Sequence, residues 1–176
     1  MLTKARVHGT PLLDFSYAPV HRVATPPLPR TVMQPVILRP TRTQMQVRFA
    51  DTDMLGHINN LSYSAYAEVG RTHFFQRIGP DVPWFVLARM ELDYRKEGYL
   101  SDELSVLTSV ERMGSTSLTL RQDIVRGEED ELIVASRAVL VCIDRESRAK
   151  MQLPSHWQLP ADDVPPQRLF FDTSET

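Results

Sequence analysis

The sequence predicts an α+β domain in which one antiparallel sheet packs against one long helix. Between residues 43 and 143 the pattern is that of a strand, a helix and then four strands. Strands that follow one another in this way pair antiparallel and do not form a doubly wound parallel sheet. Short breaks rich in Gly, Asp and Ser separate the last four strands, as antiparallel turns require. A chain of 176 residues is long enough for one domain with a single core.

Alternation and helical spacing define the elements. Residues 43–49 alternate apolar and polar side chains, which predicts a half-buried strand. Residues 60–79 contain no proline, and their apolar side chains recur at helical spacing, so we expect a helix of about five turns. Asn59 or Asn60 can cap its start, and Gly79 can end it. Four further strands are predicted at 86–96, 104–111, 117–125 and 132–143.

One glycine, Gly70, lies in the middle of the predicted helix. Glycine costs about 1 kcal/mol relative to alanine at such a position. A helix packed closely against a sheet would explain its presence, so Gly70 predicts where the helix meets the sheet.

Proline and charge divide the chain into three regions. Seven of the 13 prolines lie in residues 1–42, together with six Lys or Arg and one Asp, whereas residues 43–176 hold 14 Lys or Arg and 21 Asp or Glu. We therefore expect a proline-rich extended arm over 1–42, a folded domain over 43–154 and an irregular tail over 155–176. The arm is expected to lie on the body or on a partner subunit. Its basic, acid-poor composition leaves an organelle transit peptide as the alternative.

Composition excludes several classes of protein. The longest apolar run, residues 138–143, is far shorter than the roughly 20 residues of a membrane helix. A body with net negative charge disfavours nucleic acid as a partner. The single cysteine, Cys142, lies in a predicted strand, so it is a poor nucleophile and no disulfide is expected within the chain. We expect a cytoplasmic protein with no nucleic-acid partner and no membrane span.

The densest polar cluster lies between the first strand and the helix, at residues 51–60. Asp51 and Asp53 are two positions apart, so on a continuing strand they would share one face, where a neighbour could desolvate one of them. Use in turns or helix caps is the alternative for both. The spacing resembles the start of a calcium loop, but Leu55 and Ser62 stand where that loop needs oxygen ligands. No histidine lies at ligand spacing from His57, and we expect no metal.

The helix carries a polar stripe. Asn60, Ser64 and Glu68 are four apart, and Arg71 lies within ion-pairing reach of Glu68. A solvated face and a stripe beneath a subunit interface are both compatible with this spacing. Because a sheet with one helix leaves its far face uncovered, we expect at least a dimer. The chain also lacks the G-x-S-x-G, P-loop and dinucleotide-binding glycine motifs, which argues against serine hydrolases, kinases and Rossmann enzymes.

Residues 47–71 read V-R-F-A-D-T-D-M-L-G-H-I-N-N-L-S-Y-S-A-Y-A-E-V-G-R. This segment resembles the signature of hot-dog-fold acyl-CoA thioesterases of the 4-hydroxybenzoyl-CoA thioesterase type, and the resemblance extends over about residues 43–154. It implies a hot-dog fold, in which a five-stranded antiparallel sheet wraps around one long central helix. It also implies hydrolysis of an acyl-CoA thioester to a free acid and CoA, with no metal or organic cofactor.

The resemblance assigns roles to residues of the polar cluster. Asp53 would be the catalytic carboxylate, acting either as nucleophile or as general base. Backbone N–H groups at the start of the helix, with that of Asn60 foremost, would bind the thioester oxygen. Gly56 would allow close approach of the substrate, and His57 would shape the catalytic turn without an assigned step. Substrate contacts are expected from Asn59, Tyr63, Ser64 and Glu68, although packing in the helix also explains Tyr63.

The same resemblance implies that coenzyme A lies along the interface of a homodimer or homotetramer, with its phosphates near basic side chains. The available ones are Arg89, Arg121, Arg126, Arg145, Arg148 and Lys150. A thioesterase for acyl carrier protein and a non-catalytic acyl-CoA-binding subunit or sensor are the alternatives. Retention of Asp53 favours hydrolysis over binding alone. Hot-dog hydratases and dehydratases use a differently spaced histidine motif, which this chain lacks.

Overall fold

The computed structural model describes residues 34–161 and 167–169 of the chain, and these contain one long helix and eight strands. In chain order they are β1 (Val36–Ile37), β2 (Thr41–Met45), α1 (Asn60–Ile78), β3 (Trp84–Tyr94), β4 (Leu104–Met113), β5 (Ser117–Arg126), β6 (Glu131–Ile143), β7 (Trp157–Gln158) and β8 (Gln167–Leu169). A 3₁₀ turn, Phe49–Asp51, connects β2 to the loop before α1. The predicted succession of strand, long helix and four strands is confirmed.

The main sheet has the strand order β3-β6-β5-β4-β2-β8. Neighbouring strands are antiparallel from β3 to β2, so the predicted five-stranded antiparallel sheet is confirmed. The short β8 adds a sixth strand, parallel to β2. A separate parallel pair joins β1 to β7. Among the described strands, β3 therefore has one edge without a pairing partner.

Three boundaries differ from those expected. The first strand ends at Met45, before residue 49, because the chain turns into the 3₁₀ helix that Asp51 stabilises from within. The start of the domain lies before residue 43, since Leu38 and Thr41 are almost fully buried. The tail from residue 155 is not irregular throughout, because it supplies β7 and β8. Residues 1–33, most of the expected arm, lie outside the described part of the chain.

Helix α1 packs against one face of the sheet through apolar side chains that recur along it. Its first half contributes Tyr63 and Tyr66 to a cluster with Met45, and its second half contributes Phe74 to a cluster with Trp157. Burying each such side chain stabilises the fold by roughly 1.5–3 kcal/mol. Among the described residues, no helix combines the length and the hydropathy that crossing a membrane would require.

Gly70 marks the closest approach of α1 to the sheet. A Cβ atom at this position would lie 2.7 Å from Val106 Cγ1 and 3.1 Å from Thr108 Oγ1. Both neighbours are fully buried side chains of β4, so neither has room to move. The close packing predicted at Gly70 is confirmed, because a side chain at this position would push α1 away from β4.

We predict that Gly70→Ala lowers the free energy of unfolding by about 1–2 kcal/mol, because overpacking outweighs the gain in helix propensity. Urea denaturation measures the change. In the same helix, Ala65→Gly at an exposed position reports the propensity term alone, with a loss of about 1 kcal/mol. A gain in stability for Gly70→Ala would contradict the packing.

Candidate active site

The carboxylate of Asp51 is buried at the end of the 3₁₀ turn, and three groups hold it. Arg48 N and Tyr66 Oη each donate to Oδ2 at 2.8 Å, and Arg48 Nη2 donates to Oδ1 at 3.0 Å. Burial raises the pKa of Asp51, but the hydrogen bonds from Arg48 and Tyr66 outweigh it, so the pKa lies below its usual value. Asp51 is therefore an ionised structural residue, and the strand that would have placed it beside Asp53 ends before it.

The backbone carbonyl of Asp51 joins this turn to the start of α1. It accepts hydrogen bonds from Asn59 N at 2.9 Å, Asn59 Nδ2 at 3.1 Å and Ser62 Oγ at 3.1 Å. The other end of the Asn59 amide caps the helix, since Oδ1 accepts from the N–H groups of Leu61 and Ser62 at 2.9 and 3.0 Å. Both ends of the Asn59 side chain thus act inside the fold, and the expected cap is confirmed.

Asp53 begins a tight turn that leaves its side chain exposed. Its Oδ1 accepts from Leu55 N at 2.8 Å and from His57 N at 3.3 Å, as in an Asx turn. Gly56 closes the turn with φ +79°, a conformation that favours glycine. Within the described chain Oδ2 has no hydrogen-bond partner, so one oxygen of Asp53 is held by its own turn and the other is open.

The first N–H group of the helix is open as well. The Asn59 cap satisfies Leu61 and Ser62, whereas the N–H of Asn60 has no acceptor among the described residues. Unpaired N–H groups at a helix start carry partial positive charge and attract a negatively charged oxygen. Asn60 therefore offers a binding point for an oxyanion.

A cleft of about 200 Å³ brings these groups together. Of the predicted site residues it contains Asp53, His57, Asn60 and Tyr63, and Gly56 closes the adjoining turn. Ser64 and Glu68 do not line it. The sequence reasoning missed Tyr94, Lys96 and Glu97, which also line the cleft. These three residues end β3 or follow it, and only the pairing of the connection after β3 with residues 57–58 brings them to the helix start.

The connection after β3 holds His57, one of the predicted residues, and its neighbour Ile58. The His57 ring packs edge-on against Tyr99 at 5.2 Å, and its Nε2 lies 3.7 Å from Glu97 Oε2. Ile58 N donates to Gly98 O at 2.8 Å. Arg126 fixes the connection in turn, because Nη1 donates to Asp102 Oδ2 at 2.9 Å and Nε donates to Glu131 Oε2 at 2.8 Å. The site thus depends on the hairpin of β5 and β6, since Arg126 ends β5 and Glu131 begins β6.

Tyr63 is almost fully buried, and burial raises the pKa of its phenol. Its hydroxyl lies next to the backbone of Gly98, and it forms no hydrogen bond of good geometry with the described residues. The ring packs against Tyr66 and Tyr94, with centroids 6.3 and 5.9 Å away. Packing thus accounts for Tyr63 at the wall of the cleft.

A sequence profile of the thioesterase-like superfamily matches residues 47–160, well over half of the chain. The chain belongs to this superfamily. The Escherichia coli O6:H1 protein YbgC, an acyl-CoA thioester hydrolase, is 31% identical over 120 residues, which are 64% of this chain and 89% of that protein. The expected enzyme class, a thioester hydrolase, is confirmed at the level of the family.

Solved structures agree with this superfamily assignment. A thioesterase from Thermus thermophilus, solved with coenzyme A and zinc, is 35% identical, with a TM-score of 0.60 over 67% of this chain and 94% of that one. The complex of 4-hydroxybenzoyl-CoA thioesterase with 4-hydroxybenzoyl-CoA shares the fold, with a TM-score of 0.60 at 14% identity over 66% and 94% of the two chains. The resemblance to hot-dog thioesterases is therefore confirmed.

We predict that Asp51→Asn lowers the free energy of unfolding at pH 7 by about 2–3 kcal/mol, because a buried charge-assisted network is broken. Since the folded-state pKa of Asp51 lies below the unfolded one, its contribution is present above the unfolded pKa and lost as pH falls through the folded one. The difference from wild type should shrink below about pH 4. Thermal unfolding at several pH values measures it, with exposed Asp53→Asn as control. Equal losses for the two variants would contradict the assigned roles.

We also predict that Arg126→Met increases the exchange rate of the Ile58 amide about tenfold or more, because loss of charge-assisted hydrogen bonds frees the connection that carries Gly98. Amide hydrogen exchange followed by NMR measures the rate. Arg137→Met is a matched control, since Arg137 binds Glu111 through two hydrogen bonds of 2.6 and 2.7 Å on the exposed face of the sheet. Equal effects of the two variants would contradict a specific role for Arg126.

Proposed function

We propose that this protein is an acyl-CoA thioesterase in which Asp53 and the backbone N–H of Asn60 carry out the reaction. One observation carries the proposal: a carboxylate with a free oxygen and an unpaired N–H at a helix start line the same cleft. A thioester hydrolase needs these two elements, an oxygen base or nucleophile and a group that stabilises the oxyanion. Neither element requires a metal.

Two routes use the same Asp53 oxygen. As a general base, Asp53 takes a proton from water, whose oxygen attacks the carbonyl carbon. The Asn60 N–H stabilises the resulting oxyanion, the C–S bond breaks, and the CoA thiolate takes up the proton. As a nucleophile, Asp53 itself bonds to the carbonyl carbon and expels the thiolate, and water then hydrolyses the anhydride. Both routes yield a free acid and CoA.

The uncovered edge of β3 supports a homodimer. Trp84, Leu87 and Tyr94 on this strand are 49%, 47% and 52% exposed. Two copies that pair through β3 about a twofold axis must run antiparallel, so the start of β3 in one protomer lies beside the end of β3 in its partner. That pairing would bring the start of the partner's strand to the Asp53 cleft.

The charges near the start of β3 support coenzyme A as the substrate carrier. Three of the six basic candidates are engaged by carboxylates, namely Arg89, Arg121 and Arg126. In the described chain Arg145, Arg148 and Lys150 form no ion pair, and Arg145 lies 4.5 Å from the centre of the Trp84 ring. In the proposed dimer these three cations come near the partner's cleft, where they would meet the phosphates of coenzyme A.

We predict that Asp53→Asn lowers kcat for acyl-CoA hydrolysis by about a thousandfold or more, because the variant can neither accept the proton nor attack the thioester. Thiol release from short, long and aromatic acyl-CoAs measures it. Asp81→Asn is the matched control and should retain wild-type turnover, because Asp81 is exposed and does not line the Asp53 cleft.

Light scattering accompanies these assays, and wild type and Asp53→Asn should both have at least twice the 20.1 kDa mass of one chain. Wild-type turnover in Asp53→Asn would overturn the mechanism. Binding of acyl-CoA without thiol release by the wild type would instead favour the non-catalytic binding subunit. Hydrolysis of acyl groups from acyl carrier protein but not from CoA would identify acyl carrier protein as the substrate carrier, with the proposed mechanism unchanged.

A further inference from the structure

A second cleft, of about 730 Å³, lies in the groove between α1 and β3. Its walls come from the second half of α1 and the start of β3, and most of them are apolar, with Phe75, Trp84 and Phe85 prominent. The Asp53 cleft occupies the opposite end of the same groove, between the start of α1 and the end of β3. Arg71 and Glu68 are the only charged residues among those that line the second cleft.

Arg71 is 9% exposed, which is unusual for a cation. Its Nη1 donates to Gln122 Oε1 at 3.0 Å and makes a long contact of 3.9 Å with Met90 Sδ. Among the described residues no carboxylate oxygen lies within 4.0 Å of the guanidinium, and the predicted close ion pair with Glu68 does not form. Burial lowers the pKa of Arg71, and the nearby charge of exposed Glu68 opposes this only in part.

Gln122 holds the guanidinium in the wall of the cleft. This fully buried side chain donates from Nε2 to Ala67 O at 2.6 Å, so its Oε1 is turned toward Arg71. A neutral amide positions a cation but does not neutralise it. Within the described residues, Nε and Nη2 of Arg71 form no hydrogen bond, and Arg71 is one of the residues that line the cleft.

We propose that this cleft receives the far end of the acyl group and that Arg71 selects acyl groups ending in a carboxylate. The planar guanidinium matches a carboxylate in two parallel hydrogen bonds, and a buried cation gains most from an ionic partner. Apolar walls suit the methylene chain that precedes the carboxylate. The inference rests on the proposed thioesterase function and adds the class of acyl group.

The length of the acyl groups that are hydrolysed fastest would show whether the acyl group joins the two clefts within one protomer or across the proposed dimer. Along α1, Asn60 and Arg71 are about 16 Å apart, so within one protomer only a long acyl group would span them. In the proposed dimer the partner's Asp53 cleft lies beside the start of β3, and a short acyl group would suffice. The test therefore covers several lengths.

Four matched pairs of CoA thioesters test the proposal: succinyl and butyryl, adipoyl and hexanoyl, suberoyl and octanoyl, dodecanedioyl and dodecanoyl. We expect kcat/KM of the carboxylated member to exceed that of its neutral partner by about tenfold or more at one or more lengths. Dissociation constants for the same pairs, measured calorimetrically on Asp53→Asn, should show the same preference without turnover.

Three substitutions assign the preference. Arg71→Met should reduce the ratio of carboxylated to neutral kcat/KM by about tenfold or more, and Arg71→Lys, which keeps the charge but loses the planar fork, should retain part of it. Arg77→Met in the last turn of α1 is the matched control, because Arg77 is exposed and lines neither cleft. Its ratio should equal that of the wild type.

Equal hydrolysis of both members at every length by the wild type would overturn the inference and leave the thioesterase proposal intact, with no dependence on whether the variants fold. A wild-type preference that Arg71→Met retains would also overturn it. If Arg71→Met dissociates the assembly and leaves the ratio of carboxylated to neutral kcat/KM unchanged, Arg71 stabilises the subunit interface and does not select the acyl group. Neither binding nor hydrolysis of any pair would overturn both proposals.

Discussion

The hydrogen bonds around Asp51 are the constraint on which the site depends. Its carboxylate ties the 3₁₀ turn to Arg48 and to Tyr66 on the helix, while its carbonyl accepts from Asn59 and Ser62 at the helix start. One residue thus fixes the end of the strand and the beginning of α1 in a single arrangement. These hydrogen bonds restrict the conformation of the loop between the strand and α1, and Asp53 lies in that loop.

The two aspartates of the motif have opposite environments, and this separates their roles. The carboxylate of Asp51 is buried and both of its oxygens accept hydrogen bonds, so it stabilises the turn and is not available to a ligand. Asp53 keeps one oxygen in its own turn and leaves the other free, and it lines the same cleft as Asn60 with its unpaired N–H. The connection after β3, held by Arg126, supports the same turn from the far side. Preorganisation of this kind is what a hydrolytic site requires.

Local patterns predicted most of the fold, and pairings distant in sequence account for what they missed. Helical spacing identified α1, and Gly70 identified its contact with the sheet. The resemblance implied different roles for Asp51 and Asp53, but residue spacing alone could not distinguish them, because their environments depend on where the strand ends and on Tyr66. Glu97 entered the site only through a connection held by Arg126, and Arg71 turned from Glu68 to Gln122, which lies 51 residues later. Spacing within one helix cannot reveal a partner on another strand.

A crystal structure of Asp53→Asn with an intact acyl-CoA tests the central claim most directly, since this variant should bind the thioester and preserve it. The account predicts the thioester oxygen within about 3 Å of Asn60 N, and the carbonyl carbon next to the side chain of residue 53. It also predicts that the hydrogen bonds around Asp51 are unchanged. A thioester bound away from the start of α1, with the Asn60 N–H still unpaired, would contradict it.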